Sequence, residues 1–249
     1  MTGHSNKVTM ETALVTGATS GMGHAIALAL AGDGRRVLAL GRNKKSLDAL
    51  AEISNITPIG LDVCDHVALA DRLRDETIDI LINNAGMMPP LTAFDEMTIE
   101  SIEAAIAVNL TASIVLTNLV APTMRARRHG HIFFTGSTAG HAAFPRMAVY
   151  SATKAAVSAF ANGLRLDMAP YQVRVTEIVA GRTETNLYKA LLNEEMRAAM
   201  YADGTAVQPK DIADMVLAVL ALPENVNVSR FDIAPTRQTT ATGAVKKGD

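Results

Sequence analysis

Tyr150 and Lys154 stand four residues apart in a stretch that reads as a helix, so both side chains fall on one helix face. An ammonium beside a phenol favours the phenolate and lowers a pKa that is otherwise about 10. A tyrosine so placed can take a proton from an alcohol, or give one to a carbonyl, near neutral pH. Four tyrosines and eight lysines in 249 positions give about 0.1 such pairs by chance, so the spacing alone is moderately specific. Ser137, just past the apolar run His131–Thr135, can hydrogen-bond the same substrate oxygen and stabilise the charge that develops there. Taken singly, Ser137 is as readily a turn residue and Lys154 a solvated charge.

A glycine cluster, Thr16-Gly17-Ala18-Thr19-Ser20-Gly21-Met22-Gly23, lies between the first strand-like run and the first helical one. Glycine there lets the chain turn tightly and lets a pyrophosphate approach the helix N-terminus, whose dipole favours negative charge. Seventeen glycines will cluster somewhere by chance; the position, after a strand and opening a helix, is what points to a nucleotide. At the end of the second strand-like run, Leu40-Gly41-Arg42-Asn43 has glycine where an NAD-binding chain normally carries Asp or Glu for the adenosine ribose. Arg42 follows directly, and a forked guanidinium matches a 2′-phosphate in charge and shape. NADP(H) is therefore the expected cofactor, with NAD(H) second; the bland alternative is that Arg42 is an ordinary solvated charge.

These residues need elements to hold them. Strand-like runs cover Thr12–Thr16, Arg36–Leu40, Ile56–Leu61, Ile78–Ile82, His131–Thr135, Val173–Val179 and Arg230–Ile233. Helical patterns cover Met22–Ala31, Lys44–Ile53, Val67–Arg74, Thr98–Arg128, Tyr150–Met168, Leu187–Tyr201 and Lys210–Leu222. Continuously apolar strands alternating with helices predict an α/β, doubly wound, parallel seven-stranded sheet, the Rossmann fold. Residues 1–10 read as a tail and 11–249 as one dinucleotide-binding domain, with 182–205 as a substrate-loop segment.

In this order the motifs resemble the short-chain dehydrogenase/reductase family, in its single-domain branch of about 250 residues, from Thr12 to about Pro235. The resemblance implies that Asp62-Val63 holds adenine, and that Asn84-Ala85-Gly86 ends the fourth strand beside the cofactor. It implies a catalytic set of Asn109, Ser137, Tyr150 and Lys154. In that set Lys154 also holds the nicotinamide ribose, and Asn109 anchors a water that relays protons to it. The hydride chemistry is then the nicotinamide's. After the sixth strand the family usually has Pro-Gly; here Ala180-Gly181 precedes Arg182-Thr183-Glu184-Thr185, which loosens one backbone dihedral but keeps Thr183 and Thr185 for the carboxamide. Gly41-Arg42, Gly136-Ser-Thr-Ala-Gly140, and Leu222-Pro-Glu-Asn-Val-Asn-Val look like the NADP-dependent serine/3-hydroxy acid dehydrogenase subgroup. Arg146, Arg182 and Tyr188 join Ser137 and Tyr150 as substrate candidates, the two arginines as partners for an anionic group.

Composition excludes several classes. Twenty-three basic and 25 acidic residues give a charge of −2, without the basic footprint of a nucleic-acid or membrane-surface binder. The single cysteine, Cys64, forbids an internal disulfide, and the histidines show no metal-ligand spacing. No apolar run near 20 residues and no signal-peptide start are apparent, so a cytoplasmic protein is expected. The favoured reading is an NAD(P)-dependent oxidoreductase interconverting a small alcohol, such as a hydroxy acid, and its aldehyde or ketone. The alternative is an NAD(P)-binding sensor or scaffold without turnover; such proteins typically lose the Tyr or Lys, and both are here. A nucleotide-sugar epimerase would need an added substrate domain. Apolar positions at Ile106, Leu110, Ile114 and Leu116, and at Val157, Phe160 and Leu164, predict a homo-oligomer, a tetramer or else a dimer.

Overall fold

The β-branched, apolar runs form seven strands: β1 Thr12–Thr16, β2 Arg36–Gly41, β3 Ile56–Gly60, β4 Ile80–Asn83, β5 His131–Thr135, β6 Arg174–Ala180 and β7 Arg230–Ile233. The computed structural model describes residues 10–142, 144–189 and 191–237. The expected tail over 1–10, Met10 apart, and the chain end past 237 lie outside the described residues. All neighbouring strands pair parallel, in the order β3-β2-β1-β4-β5-β6-β7. The order reverses between β1 and β4, and at such a switch point the loops after the strands diverge and leave a crevice.

Among the described residues eight α-helices cover both faces: α1 Gly21–Gly32, α2 Lys44–Ala51, α3 His66–Leu73, α4 Ile99–Ile106, α5 Ala112–Arg127, α6 Ala148–Met168, α7 Glu194–Tyr201 and α8 Pro209–Leu220. Strand residues pointing one way, among them Val15, Val37, Ile82 and Phe133, pack with Ile26 and Leu30 of α1 and Val216 of α8. Those pointing the other way, such as Leu14, Leu38, Leu81 and Phe134, pack with Leu69 of α3, Leu116 and Val120 of α5, and Val157 of α6. Parallel strands covered on both sides bury every position and so are largely apolar, which is why β1 reads Thr-Ala-Leu-Val-Thr and is wholly buried.

Helix starts follow local chemistry. The Asn43 and Asp65 side chains accept from the Ser46 and Ala68 amides, capping α2 and α3. Pro209 takes the first position of α8, where no amide is needed.

Two helical expectations are corrected. The stretch expected as one helix over 98–128 is interrupted by a π-helical turn at Ala107–Thr111. The stretch from Leu187 to Tyr201 is not continuous either: a short 3₁₀ turn at Asn186–Tyr188 is followed by α7, which starts only where Asn193 accepts from the Met196 amide. The run Ile99–Arg127 is also long enough to pass as a membrane span, with an 18-residue stretch of mean hydropathy 1.8, contrary to the expectation that none comes near. Its apolar side chains explain this: Leu116, Val120 and Met124 are core residues on the sheet.

The residues expected to carry an interface are mostly spent inside. Leu116 and Val157 are in the core, and Leu110, Phe160 and Leu164 pack against it. The large apolar residues left in the open on these helices are Ile99, Ile106 and Leu166.

Candidate active site

The crevice is furnished by the turns after β1, β2, β3, β4, β5 and β6. After β1 the chain enters a left-handed conformation at Gly17 (φ +66°) and again at Gly21 (φ +54°), where a side chain would be strained. Gly23 is closed in for another reason: a Cβ there would stand 2.4 Å from both Asn84 Nδ2 and the Gly17 carbonyl oxygen. Ser20 caps α1 in an extended conformation without using its side chain, so the first-turn amides keep no side-chain partner. A half-buried turn with uncapped amides at a 12-residue helix suits a diphosphate. The residues present fit a dinucleotide.

Thr16, the last residue of β1, ties this turn to the end of β4. Its hydroxyl donates to the Ile82 carbonyl at 3.2 Å and accepts from the Asn84 and Ala85 amides, both at 2.9 Å. Asn84 returns a bond from Nδ2 to the Thr16 carbonyl at 3.0 Å. Met22 packs against the core beneath, and Gly86 is exposed beside Asn109 and Lys154: a Cβ there would stand 3.4 Å from Asn109 Oδ1 and 3.8 Å from Lys154 Nζ.

At the outer end, Gly41 is buried against Thr19, whose Cγ2 would lie 2.5 Å from any Cβ at that position. Arg42 projects into solvent and pairs with Asp62, Nη1 to Oδ2 at 3.1 Å. Asp62 also accepts from the Cys64 amide at 2.9 Å. That backbone bond, with a smaller contribution from Arg42, holds its carboxyl below the usual carboxylate range. Val63 packs against the sheet core. The fold thus joins two residues, 20 positions apart, that no local pattern pairs.

The π turn explains Asn109. Widening the helix by one residue presents its buried side chain to the end of β4. Oδ1 accepts from the Met87 amide at 2.7 Å, and Nδ2 donates to the Met87 carbonyl at 2.9 Å and to Thr153 Oγ1 at 3.2 Å. Thr153 in turn donates to the Tyr150 carbonyl at 2.7 Å. One asparagine so connects β4, the π turn and α6.

Ser137 follows β5 and opens a 3₁₀ turn at Thr138–Gly140, its hydroxyl accepting from the Ala139 amide at 3.1 Å. Gly140 presses this turn onto α6: a Cβ there would lie 2.9 Å from the backbone carbon of Lys154. Contact that close fixes the spacing of Ser137 from Tyr150 and Lys154. Burial pushes the Tyr150 phenol well above its ordinary value, Tyr188 adds to this, and a hydrogen bond with Ser137 opposes it. Burial pulls the Lys154 ammonium down to about 8, with Glu177 opposing.

This differs from the expectation that Lys154 lowers the Tyr150 pKa. Lys154 Nζ lies 5.8 Å from the phenol ring centre and donates to the Thr135 carbonyl at 2.7 Å. With the ammonium turned to a carbonyl and the phenol deep in apolar surroundings, desolvation outweighs charge.

The loop after β6 brings Thr185 against the glycine turn; a Cβ at Gly21 would meet its Cγ2 at 3.1 Å. Thr183 is buried and turned inward, donating to the Gly181 carbonyl at 3.1 Å. A cleft of about 610 Å³ opens between α1 and this loop, lined by Gly21, His24, Thr185, Asn186, Arg197 and Tyr201. A cavity of about 10 Å³ around Asp79 and His129, at the opposite strand ends, has room for a water at most. Arg182 donates to the Met200 carbonyl at 3.4 Å and acts electrostatically on Tyr188 and Tyr201. Arg146 is exposed, at φ +60°. Met88, Ala139 and Tyr150 are buried together, with Phe144, Leu187 and Tyr188 packed on them as an apolar wall.

The tightness at Gly140 has an expected consequence. Gly140→Ala should cost about 1–3 kcal/mol of stability, as overpacking does, and lower kcat by displacing Ser137 from Lys154. Gly163, in the same α6 with nothing within 4 Å of an added Cβ, is the control. Gly163→Ala should raise stability by about 0.5–1 kcal/mol through helix propensity alone. Thermal melts and initial rates on the two variants check both halves; equal melting temperatures would refute the packing account.

A glycine turn at the switch point of a doubly wound sheet, beside a half-buried Ser137 and the buried Tyr150 and Lys154, defines an NAD(P)-dependent oxidoreductase. The chain belongs to the short chain dehydrogenase family, which its residues 11–196 match. It is 43% identical over 238 residues to an uncharacterized short-chain type dehydrogenase/reductase of Sinorhizobium fredii, covering 95% of this chain and 96% of that one. It is 34% identical over 238 residues to the NADP-dependent 3-hydroxy acid dehydrogenase of Escherichia coli strain K12, covering 92% and 96%. A closed form of serine dehydrogenase complexed with NADP+ superposes with a TM-score of 0.88 at 33% identity, over 95% of this chain and all of the other. Among the described residues no group of three or more His, Cys, Asp or Glu could hold a metal.

Proposed function

We propose that this protein interconverts a small hydroxy acid, or a similar alcohol, and its carbonyl compound, using NADP(H). The observation that carries the reading is the convergence of Ser137, Tyr150, Lys154 and Asn109 on one crevice with the glycine turn. The nicotinamide, when bound, supplies or accepts the hydride.

Each residue then has one task. Tyr150, kept protonated by burial, gives its proton to the substrate oxygen in reduction and takes one back in oxidation. Ser137 hydrogen-bonds that oxygen and stabilises its developing charge. Lys154 holds the nicotinamide ribose, and Asn109 connects it to the proton supply. Gly17, Thr19, Ser20, Gly21, Met22 and Gly23 cradle the diphosphate, Asp62 and Val63 flank the adenine, and Asn84, Ala85 and Gly86 line the floor. Thr185 serves the carboxamide, while Thr183 braces the loop.

Arg42 near the adenosine end, with no acid at Gly41, supports NADP(H), as do the NADP-dependent relatives. The apolar wall around Phe144 and Leu187, with Arg182 and Tyr188 at its edge, suits a short chain ending in an anion. Initial rates with NADPH and NADH against 3-hydroxy acids, serine, simple alcohols, aldehydes and keto acids test this reading. Turnover of a hydroxy acid with NADP+ is expected; binding of NADPH with no turnover of any member would favour the sensor.

Assembly follows from the exposed apolar side chains of α4 and α6. Ile99 and Leu166, 69% and 70% exposed, support a homo-oligomer, with a tetramer as the expected form. Light scattering at micromolar concentration should give the tetrameric mass. A monomer would overturn it.

A further inference from the structure

Behind Ser137 lies a carboxylate that no step above uses. Glu177 of β6 is 3% exposed, on the strand face that carries Val175 into the core beneath α6. A buried carboxylate is costly unless hydrogen-bonded and paired, and here each oxygen has a partner. Ser158 of α6 donates to Oε2 at 2.9 Å. His141, which closes the turn begun at Ser137, brings Nε2 to 3.2 Å from Oε1 with 31% of its side chain exposed. Gly136 makes the room, since a Cβ there would stand 2.4 Å from Oε1. Lys154 stands one helical turn before Ser158, on the same face of α6. The Ser137 turn, the helix bearing Tyr150 and Lys154, and β6 therefore meet at one carboxylate.

We propose that Glu177 is a positioning residue for the reaction: it clamps the Ser137–His141 turn to α6 and supplies the negative charge that faces the buried Lys154 ammonium. The inference rests on the oxidoreductase reading above for its catalytic consequence, not for its electrostatics. The groups facing Lys154 are Glu177 from β6, the Thr135 carbonyl from β5, Asn109 from the π turn and Tyr150 on its own helix. Those facing Glu177 are His141, Ser158 and Lys154. Burial alone drives the ammonium to release its proton, and the one full negative charge named among its neighbours opposes that. A neutral amide in its place leaves desolvation unopposed, so Lys154 loses its proton at lower pH. Carbonyl reduction needs that ammonium to hold the ribose, so its alkaline limb must move down.

Glu177→Gln preserves shape and hydrogen-bonding capacity while removing the charge. The measurements are NADPH affinity by fluorescence and kcat for carbonyl reduction, each from about pH 6 to 10. Glu177→Gln is expected to lower the alkaline midpoint of both by about one pH unit. Glu177→Asp, with the charge kept but drawn back, should show a smaller shift, and it decides the matter should the Gln variant fail to fold. His141→Ala, which removes a brace but no charge on Glu177, should leave the midpoint at the wild-type value. A uniform fall in kcat with unmoved midpoints in the Gln and Asp variants would make Glu177 a structural brace only and overturn the proposal. A wild type that binds NADPH but reduces no carbonyl would fail the oxidoreductase reading instead, while the binding midpoints still judge the electrostatic role.

Discussion

Tyr150→Phe is expected to lower kcat for carbonyl reduction by about 10²–10⁴-fold, the range for losing a general acid. The change deletes one oxygen. The ring should stay where it is, in the cluster with Met88 and Ala139 that Phe144 and Leu187 pack against, because those contacts are apolar. NADPH affinity should therefore hold, and stability should fall by no more than about 1 kcal/mol for the lost bond with Ser137. The pH dependence carries a further signature. Burial raises the phenol, so the proton stays on Tyr150 through neutral pH and reduction should be flat there. Oxidation of the alcohol requires the phenolate, so its rate should climb with pH in the wild type and lose that climb in Tyr150→Phe. Near-wild-type kcat in the variant would remove Tyr150 from proton transfer.

How much of this was legible in the chain depends on range. The inner strands were readable because a parallel sheet buried on both faces needs nearly continuous apolar runs, while the edge strand β7, Arg-Phe-Asp-Ile at Arg230–Ile233, was readable from its alternation. The Tyr150 and Lys154 pair and the glycine turn were readable because their spacing is local. What was not legible is contact between segments far apart. Thr16 looked like the polar start of a motif, and only the fold brings the Asn84 and Ala85 amides to its hydroxyl. The π turn at Asn109 has no mark in an apolar helical pattern, since one residue of slip changes the periodicity too little. Glu177 sat in a strand as a lone acid, and its meaning depends on Ser158 and His141, contributed by α6 and the β5 turn. The sign of the Tyr150 shift is hidden from the sequence for the same reason. Spacing says that a lysine is near, but burial and the direction of its Nζ decide what that lysine does.

Arg42→Ala is expected to weaken NADPH binding by about 10- to 100-fold, the equivalent of 1.5–3 kcal/mol for a charge-assisted bond to phosphate. NADH binding should change by less than about threefold, because NADH offers no 2′-phosphate. The pairing with Asp62 adds a refinement. At 76% side-chain exposure the guanidinium gains little from Asp62, so leaving that partner for a phosphate costs little. For the same reason Arg42→Ala should barely move the melting temperature, which separates a lost ligand contact from a damaged fold. The bare Asp62 carboxylate left behind would repel a nearby phosphate, adding to the NADPH loss. A double variant, Arg42→Ala with Asp62→Asn, should then recover part of the NADPH affinity relative to NADH, since any loss at the adenine falls on both cofactors alike. The reverse design, an acid at Gly41, is not a clean test, since its Cβ would press on Thr19 at 2.5 Å and disturb the turn that holds the diphosphate. If fluorescence titrations give equal NADPH affinity for wild type and Arg42→Ala, the 2′-phosphate is held elsewhere, and Lys44 and Lys45 at the start of α2 become the residues to replace next.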